Sequence, residues 1–398
     1  MTVPKLPNGA RLIIERLNSH GKRADIVGGS VRDFLLGKSP SDFDITTSAT
    51  PDEMREIFSD MRTVDTGIKH GTLTVLIDGV PYEVTTYRKD GEYTDHRHPE
   101  SVTFSSLLSE DLCRRDFTVN AMCYNEKDGF TDLYGGMRDL AARQIRAVGD
   151  PYKRFDEDAL RILRAVRFSS TLDFDIDSTT AKAAREMAHL LDGISGERIF
   201  TEWKKLIAGK RAYTVIKDFP EVISRFLLPG GEIILPERTA FNLADSTARQ
   251  LSIFALSAKN APTAYETAAD RMHFDNKTRR CGMTVLENLD TPLNTLSDVN
   301  LSFMRIGEEC TLALINLRIT LGTLDHNALS FAESVIADGL PYALSHLNVS
   351  GEDVLSLGIV GKEVGTALNA ALEAVIFGVV QNKKLELLNY IKSYTGKA

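Results

Sequence analysis

At 398 residues, with 43% hydrophobic and 26% charged side chains, the chain holds enough apolar material for about two to three packed domains and shows no compositional sign of wholesale disorder. The formal net charge of −8 excludes a uniformly basic surface, so a nucleic-acid partner would have to meet a local patch. The cysteines, Cys113, Cys123, Cys281 and Cys310, form no CxxC pair, which argues against a zinc ribbon or disulfide framework and fits inert thiols in a reducing compartment.

The N-terminal stretch lacks the long apolar run of a secretory leader, and the most apolar later stretch, ALNAALEAVIFGVV, is short and interrupted by Glu373. A soluble, cytoplasmic protein with no membrane partner is expected. In chain order, GARLIIERLNSHG predicts a helix, ADIVGG a strand, SVRDFLLG a helix and SDFDITT a strand. In TPDEMREIFSD, Thr50 is a candidate N-cap, Pro51 takes the first helical position, and Asp52 and Glu53 complement the helix dipole. GTLTVLIDG and VPYEVTTYR alternate with period two around Asp78-Gly79-Val80-Pro81 and read as a hairpin. The first part is therefore an α/β head, a small mixed sheet with helices. From about Phe155 the pattern turns to three- and four-residue steps, as in EDALRILRAVRFSSTL and SGERIFTEWKKLIAG, and stays mainly helical to the end. The expected division is a catalytic head at 1–150, a helical neck at 151–220, a helical body at 221–340 and a helical tail at 341–398.

Two runs could supply a basic patch: Arg198, Lys204, Lys205, Lys210, Arg211 and Lys217, and the C-terminal Lys383, Lys384, Lys392 and Lys397. A solvated helix face is the plainer account of either run alone.

The densest chemistry lies in GGSVRDFLLGKSPSDFDITT, residues 28–47. On an extended strand residues two apart share a face, so Asp42 and Asp44 project together while Phe43 and Ile45 point to the core. Two like charges so placed repel, and a divalent cation with a preference for hard oxygen ligands, Mg²⁺, relieves the repulsion. Glu83 in YEVTTYR can add a third carboxylate if its strand lies beside the first, giving a two-metal site suited to in-line phosphoryl transfer. Gly28 and Gly29 end a strand and open a helix, where backbone N–H groups can face an anion. Arg32, just inside that helix, either touches phosphate or pairs with a carboxylate. No Gly-Lys-Ser/Thr follows, so this is not a Walker loop.

With GIKHGTLTV, YEVTTYR, RRDFTVNAM, DLYGGMRDL, FDEDALRILRAVRF and SGERI following in order, the chain resembles the nucleotidyltransferase superfamily, specifically the class II CCA-adding enzymes, the tRNA nucleotidyltransferases that share a head with bacterial poly(A) polymerases. The resemblance implies that Asp42 and Asp44 bind catalytic Mg²⁺ with Glu83 in support. It implies that Arg114 and Arg115 reach triphosphate or pair locally, that Asp116 lies near the ribose and that Asn120 braces the site. DLYGGMRDL is either a hinge between head and neck or a plain turn.

In EDALR, Asp158 and Arg161 lie three apart, hence on one helix face. Cytosine and adenine both present an amino donor beside a ring-nitrogen acceptor, and uracil and guanine invert that pattern. A carboxylate only accepts and a guanidinium only donates, so this pair could select C and A without a template strand. Glu157 would orient the arginine, with Arg164 in support one helical turn on. An Asp–Arg helix salt bridge is the simpler account of the pair in isolation.

The polar stretch RKDGEYTDHRHPESVTFSSLLSE, residues 88–110, reads as a mobile loop, similar to the intact loop that accompanies the switch from C to A addition in the family. His96 and His98 within it lack a third ligand, and His70 has a structural or hydrogen-bonding role. HLNVSGEDVLSLGIVGKEVGTALNAALEAV is similar to the family's tail and implies a tRNA contact. The function implied is addition of C, C and A to the 3′ end of tRNA from CTP and ATP. The alternatives are a poly(A) polymerase, an enzyme adding only CC or A, an antibiotic nucleotidyltransferase and a non-catalytic RNA-binding module.

Overall fold

A computed structural model describes residues 6–40, 42–91 and 102–396. The chain forms two compact units, Met1–Gly230 and Gly231–Ala398.

The first unit opens with α1 (Asn8–Ser19), β1 (Ala24–Val27), α2 (Gly29–Leu35), β2 (Asp44–Thr47), α3 (Pro51–Ile57), β3 (Thr63–Gly67), β4 (Thr72–Ile77) and β5 (Val80–Thr86). Then come β6 (Arg88–Asp90), β7 (Val102–Phe104), α4 (Leu108–Cys113), β8 (Met122–Asn125), β9 (Gly129–Asp132) and α5 (Gly136–Ala141). Seven strands form one sheet in the order β3-β4-β5-β2-β1-β8-β9. Its neighbours are antiparallel except β2 and β5, which run parallel with Thr46 opposite Thr85. Thr50 and Glu53 close a reciprocal capping box at α3, with Pro51 in its first turn. Ile77 pairs with Val80, so the hairpin turn is two residues long, and Asp78 (φ 51°) and Gly79 (φ 80°) both take the positive φ that such a turn demands. Val80 and Pro81, expected in the turn, already belong to β5.

The sheet's register puts Asp25, Thr46 and Thr85 on one face. Asp25, fully buried, accepts from Arg23, from the Tyr87 hydroxyl at 3.0 Å and from Asn125, so its charge is balanced inside the layer. The stretch expected to be a loop is ordered at both flanks: β6 and β7 pair as an antiparallel ribbon, and α4 begins at Leu108. Both elements are too short for a periodic signal. His96 and His98 lie outside the described residues, and the exposed His70 contributes its carbonyl to Arg88.

Six α-helices follow in this unit, α6 (Pro151–Glu157), α7 (Leu160–Leu172), α8 (Ser178–Glu186), α9 (Gly196–Ile207), α10 (Ala212–Asp218) and α11 (Pro220–Leu227), with a short parallel pair between Gln144–Ile145 and Asp175–Ile176. The continuous helix expected through EDALRILRAVRF is broken. Asp158 is extended (φ −142°, ψ 102°), and its carboxylate caps the Leu160 amide at 3.2 Å. An aspartate bonds backbone amides ahead of it more readily than it continues a helix. α7 and α9 pack together and bury Trp203 against Phe226.

The second unit is helical throughout: α12 (Arg238–Leu243), α13 (Ser246–Ser257), α14 (Ala261–Met272), α15 (Asn276–Glu287), α16 (Leu296–Ile306), α17 (Glu308–Thr320), α18 (Asn327–Ala337), α19 (Gly351–Leu355), α20 (Lys362–Ile376) and α21 (Lys384–Thr395). Val354, Leu372, Leu387 and Ile391 join its last three helices in one apolar cluster. Among the described residues no helix is long and apolar enough to cross a membrane.

Candidate active site

A cleft of about 510 Å³ opens in the first unit at the ends of β1 and β2. Gly28, Gly29, Arg32, Asp42, Asp44, Arg114, Arg115, Asp116, Asn120, Asp158, Arg161 and Arg164 line it, so residues spread over 137 positions meet in one place. Two expected residues, Glu83 and Glu157, do not line it.

The turn between β1 and α2 is built on Gly28, whose φ of 77° favours glycine. Its amide donates to the Met122 carbonyl at 3.2 Å and ties the turn to β8. A Cβ on Gly28 would meet the Arg115 Nη1 at 3.1 Å. Strand pairing in β2 starts only at Asp44, so Asp42 sits just before the strand rather than within it. Both carboxylates nonetheless face the cleft, while Phe43 packs on Phe34 with ring centroids 5.7 Å apart. Ile45 opposite Val84 brings Glu83 of β5 beside Asp44. The surrounding protein desolvates the Asp44 carboxylate, Asp42 and Glu83 repel its charge, and Arg115 only partly offsets them, so its pKa is raised.

These side chains suit a divalent metal in one respect and restrict it in another. Hard carboxylate oxygens crowded against one another are what such a cation neutralises. Among the described residues, however, no group of three or more acidic, His or Cys side chains is placed to hold a metal alone. Glu83 bears on Asp44 through charge, and Asp42 and Asp44 are the two carboxylates that would hold such an ion. Mg²⁺ bound by one or two carboxylates completes its shell with water and phosphate.

The opposite wall is an arginine network. Asp111, fully buried on the sheet face, accepts from Arg114 Nε and Nη2 at 3.0 and 2.7 Å, from Arg115 Nη2 at 3.2 Å and from the Thr46 hydroxyl at 3.1 Å. Burial works against its charge, but Arg115 and Arg114 outweigh burial and lower its pKa. Asp116 Oδ1 accepts from Asn120 Nδ2 at 3.1 Å and from the Phe117 amide at 2.8 Å, and Oδ2 takes two bonds from Arg164. Burial would raise the Asp116 pKa, yet Arg164, Asn120 and Arg161 bring it to about 2. Asn120 in turn accepts from Arg32 Nη1 at 2.8 Å, and Arg32 also pairs with Asp33. Arg32 thus pairs with a carboxylate while also facing the cleft.

Asp158 and Arg161 both face the cleft across the break between α6 and α7. Arg198 Nη2 grips both Asp158 oxygens, at 3.2 and 3.1 Å. Arg161 donates to Glu157 Oε2 at 2.8 Å, to the Arg154 carbonyl and to the Arg114 carbonyl, so its guanidinium is held in place by the protein itself. Of the first basic run, Arg198 and Arg211 are engaged in ion pairs and Lys204 lies over Phe200. Of the second, Lys384 pairs with Asp353.

Sequence reasoning missed Asp33, Arg167 and Phe168 in the cleft, and Asp111 and Glu202 behind it. Phe168 is ringed by the guanidinium groups of Arg32, Arg164 and Arg167, with 5.3, 5.3 and 3.4 Å to the ring centroid. Arg167 holds Glu202 at 2.7 Å, and Arg164 reaches the other Glu202 oxygen at 3.6 Å. The three- and four-residue steps 161, 164, 167, 168 carried a signal for one helix face, as did Asp111 against Arg114 and Arg115. Glu202, on α9, carried none.

The chain matches two family models: the poly A polymerase head domain over residues 24–146, and the probable RNA and SrmB-binding site of polymerase A over residues 173–222. A CCA-adding enzyme of Pediococcus pentosaceus is 35% identical over 397 residues, covering 98% of each chain. The crystal structure of the Bacillus stearothermophilus CCA-adding enzyme in complex with CTP superposes with a TM-score of 0.80 at 31% identity, covering 99% of this chain and 98% of that one. The Thermotoga maritima CCA-adding enzyme complexed with tRNA shares the fold, with a TM-score of 0.71 at 22% identity over 99% and 96% of the two chains. With a relative aligned end to end and a cleft assembled from the residues its sequence motifs single out, the chain belongs to the CCA-adding enzymes, class II members of the nucleotidyltransferase superfamily built on a poly(A) polymerase head.

Proposed function

We propose that the chain adds C, C and A to the 3′ end of tRNA from CTP and ATP, without a template strand, by Mg²⁺-dependent two-metal nucleotidyl transfer that releases pyrophosphate. The observation that carries this reading is the convergence of Asp42 and Asp44 on the same cleft as Arg114, Arg115 and the Asp158–Arg161 pair. Asp42 and Asp44 are the metal ligands, and Glu83 raises the local negative charge. Magnesium held there would neutralise phosphate charge and help an incoming hydroxyl attack in line.

Arg114, Arg115 and Arg32 receive the triphosphate, for which guanidinium forks are well matched. Gly28 and Gly29 let backbone approach it closely. Asp116 lies near the ribose and organises Arg164 and Asn120 around it. Asp158 accepts from the base's amino group while Arg161, oriented by Glu157, donates to the ring nitrogen. The terminal ribose oxygen of tRNA then bonds the α-phosphorus as the bond to pyrophosphate breaks. The finer division into head (1–150), neck (151–220), body (221–340) and tail (341–398) is part of the same reading, with the tail contacting tRNA.

Incubating tRNA lacking its terminus with CTP alone, ATP alone and both, then sequencing the ends, tests this. The expected products are CC, no extension and CCA. Long A tails would favour a poly(A) polymerase, arrest at CC a partial enzyme, and no incorporation an RNA-binding module.

A further inference from the structure

We propose that Asp111 is a positioning residue that aims Arg114 and Arg115 at the phosphate end of the cleft. This rests on the reading of those arginines as phosphate ligands and extends it by naming what holds them. A cleft-lining arginine on a long flexible stem would lose side-chain entropy each time it met a substrate. Here that ordering is complete in advance. One carboxylate serves both guanidinium groups, Oδ1 taking two N–H donors of Arg114 and Oδ2 taking one of Arg115. Because the residues lie three and four positions apart, one side chain reaches both only from the end of a helical turn, which α4 provides.

The anchor is itself anchored. Asp111 is fully buried and accepts from the Thr46 hydroxyl at 3.1 Å. Thr46 stands two residues beyond Asp44 on the same strand, so both side chains leave the same face. The chain therefore ties the arginines to the strand that carries a proposed metal ligand. Arg115 already acts on the charge of Asp44, and its Nε is buried without a hydrogen-bond partner. Asp111 neutralises one of the two positive charges, which lets the guanidinium groups sit together while a net positive charge still faces the cleft.

Titration calorimetry with CTP and with CMP, in Mg²⁺ and without tRNA, reads this out as the ratio of the two dissociation constants. A residue that merely supported the fold would weaken both nucleotides together. A residue that aims phosphate ligands lowers the preference for CTP and spares CMP. Asp111→Asn, of nearly the same shape, is expected to cut the CTP preference roughly tenfold, as Arg115→Ala does. Thr46→Val, which removes only the donor that fixes Asp111, is expected to cut it about two- to threefold, and it carries the test should Asp111→Asn fail to fold. If Arg115→Ala lowers the preference while Asp111→Asn or, where that variant does not fold, Thr46→Val leaves it unchanged, the positioning role is overturned and the reading of the arginines stands. If Arg115→Ala and Arg114→Ala both leave it unchanged, the reading of the arginines falls and this inference with it.

Discussion

Arg164 donates from both Nε and Nη2 to a single oxygen of Asp116, at 2.9 and 2.6 Å, across 48 residues of chain. That contact joins α7 to the segment following α4 and keeps the carboxylate charged where burial opposes the charge. Its pKa of about 2 lies below the ordinary aspartate value of 3.8. A carboxylate whose folded-state pKa is depressed contributes stability that is fully present above the unfolded value and is lost as pH falls through the folded value. The window is therefore pH 4 down to 2. Denaturant unfolding at fixed pH should show wild type losing roughly 2 kcal/mol across that window that Asp116→Asn does not lose. Equal losses in the two proteins would show that the Arg164 contact does not hold the charge.

Asp42→Ala and Asp44→Ala should each reduce CTP incorporation by about a thousandfold or more, since each would remove half of the proposed two-carboxylate ligand set. Gel-shift affinity for tRNA should stay within about twofold of wild type, because neither residue lies on a basic patch. EDTA should abolish wild-type activity, with Mg²⁺ restoring it. A variant that lost tRNA binding in parallel with activity would mean that the carboxylates support the fold rather than the chemistry.

How much of this was legible beforehand depended on distance along the chain. The Gly28-Gly29 turn, the N-cap at Thr50 and the Asp78-Gly79 hairpin are local, and local residues announce local geometry. Twelve of the expected site residues meet in the cleft, because the motifs mark where strands end and helices begin. The break at Asp158 was hidden, since apolar periodicity ran straight through EDALRILRAV while a side-chain cap decided the backbone. Glu83 lies on the strand beside Asp44 but does not line the cleft, and the spacing of residues within one strand does not report on that. Glu202 was invisible because its partners lie 35 residues or more away, and no short-range pattern reports on such a contact.

Gly28→Ala should damage the site twice. Gly28 has φ 77° and ψ −130°, a region nearly restricted to glycine that costs an alanine about 1–3 kcal/mol, and the new methyl would press on Arg115 Nη1 at 3.1 Å. The expected result is a fall in melting temperature of a few degrees, about 2–6 °C for a unit of this size, with a raised KM for both CTP and ATP. Gly37→Ala is the control: it shares a positive φ of 71° but meets nothing within 4 Å, so it should lower the melting temperature and leave KM unchanged. A matching rise in KM for both variants would show that backbone strain alone accounts for the effect.

Base selection gives the sharpest test of the Asp158–Arg161 pair. Arg198 holds both oxygens of Asp158 and Glu157 holds Arg161, so under the proposed reading a base would meet a rigid acceptor beside a rigid donor. Uracil presents a carbonyl where cytosine presents an amino group, which sets oxygen against carboxylate. Asp158→Asn supplies an amide that can donate to that carbonyl, with almost no change of volume. Discrimination between CTP and UTP, measured as the ratio of kcat/KM values on tRNA lacking its terminus, should fall by about tenfold or more. Most of the change should come from slower CTP incorporation, since the amide serves the uracil carbonyl while Arg161 still opposes the uracil ring N–H. Asp158→Ala should slow both nucleotides without favouring uracil. If Asp158→Asn instead lowered CTP and UTP incorporation in equal proportion, Asp158 would be holding the turn between α6 and α7 and reading no base.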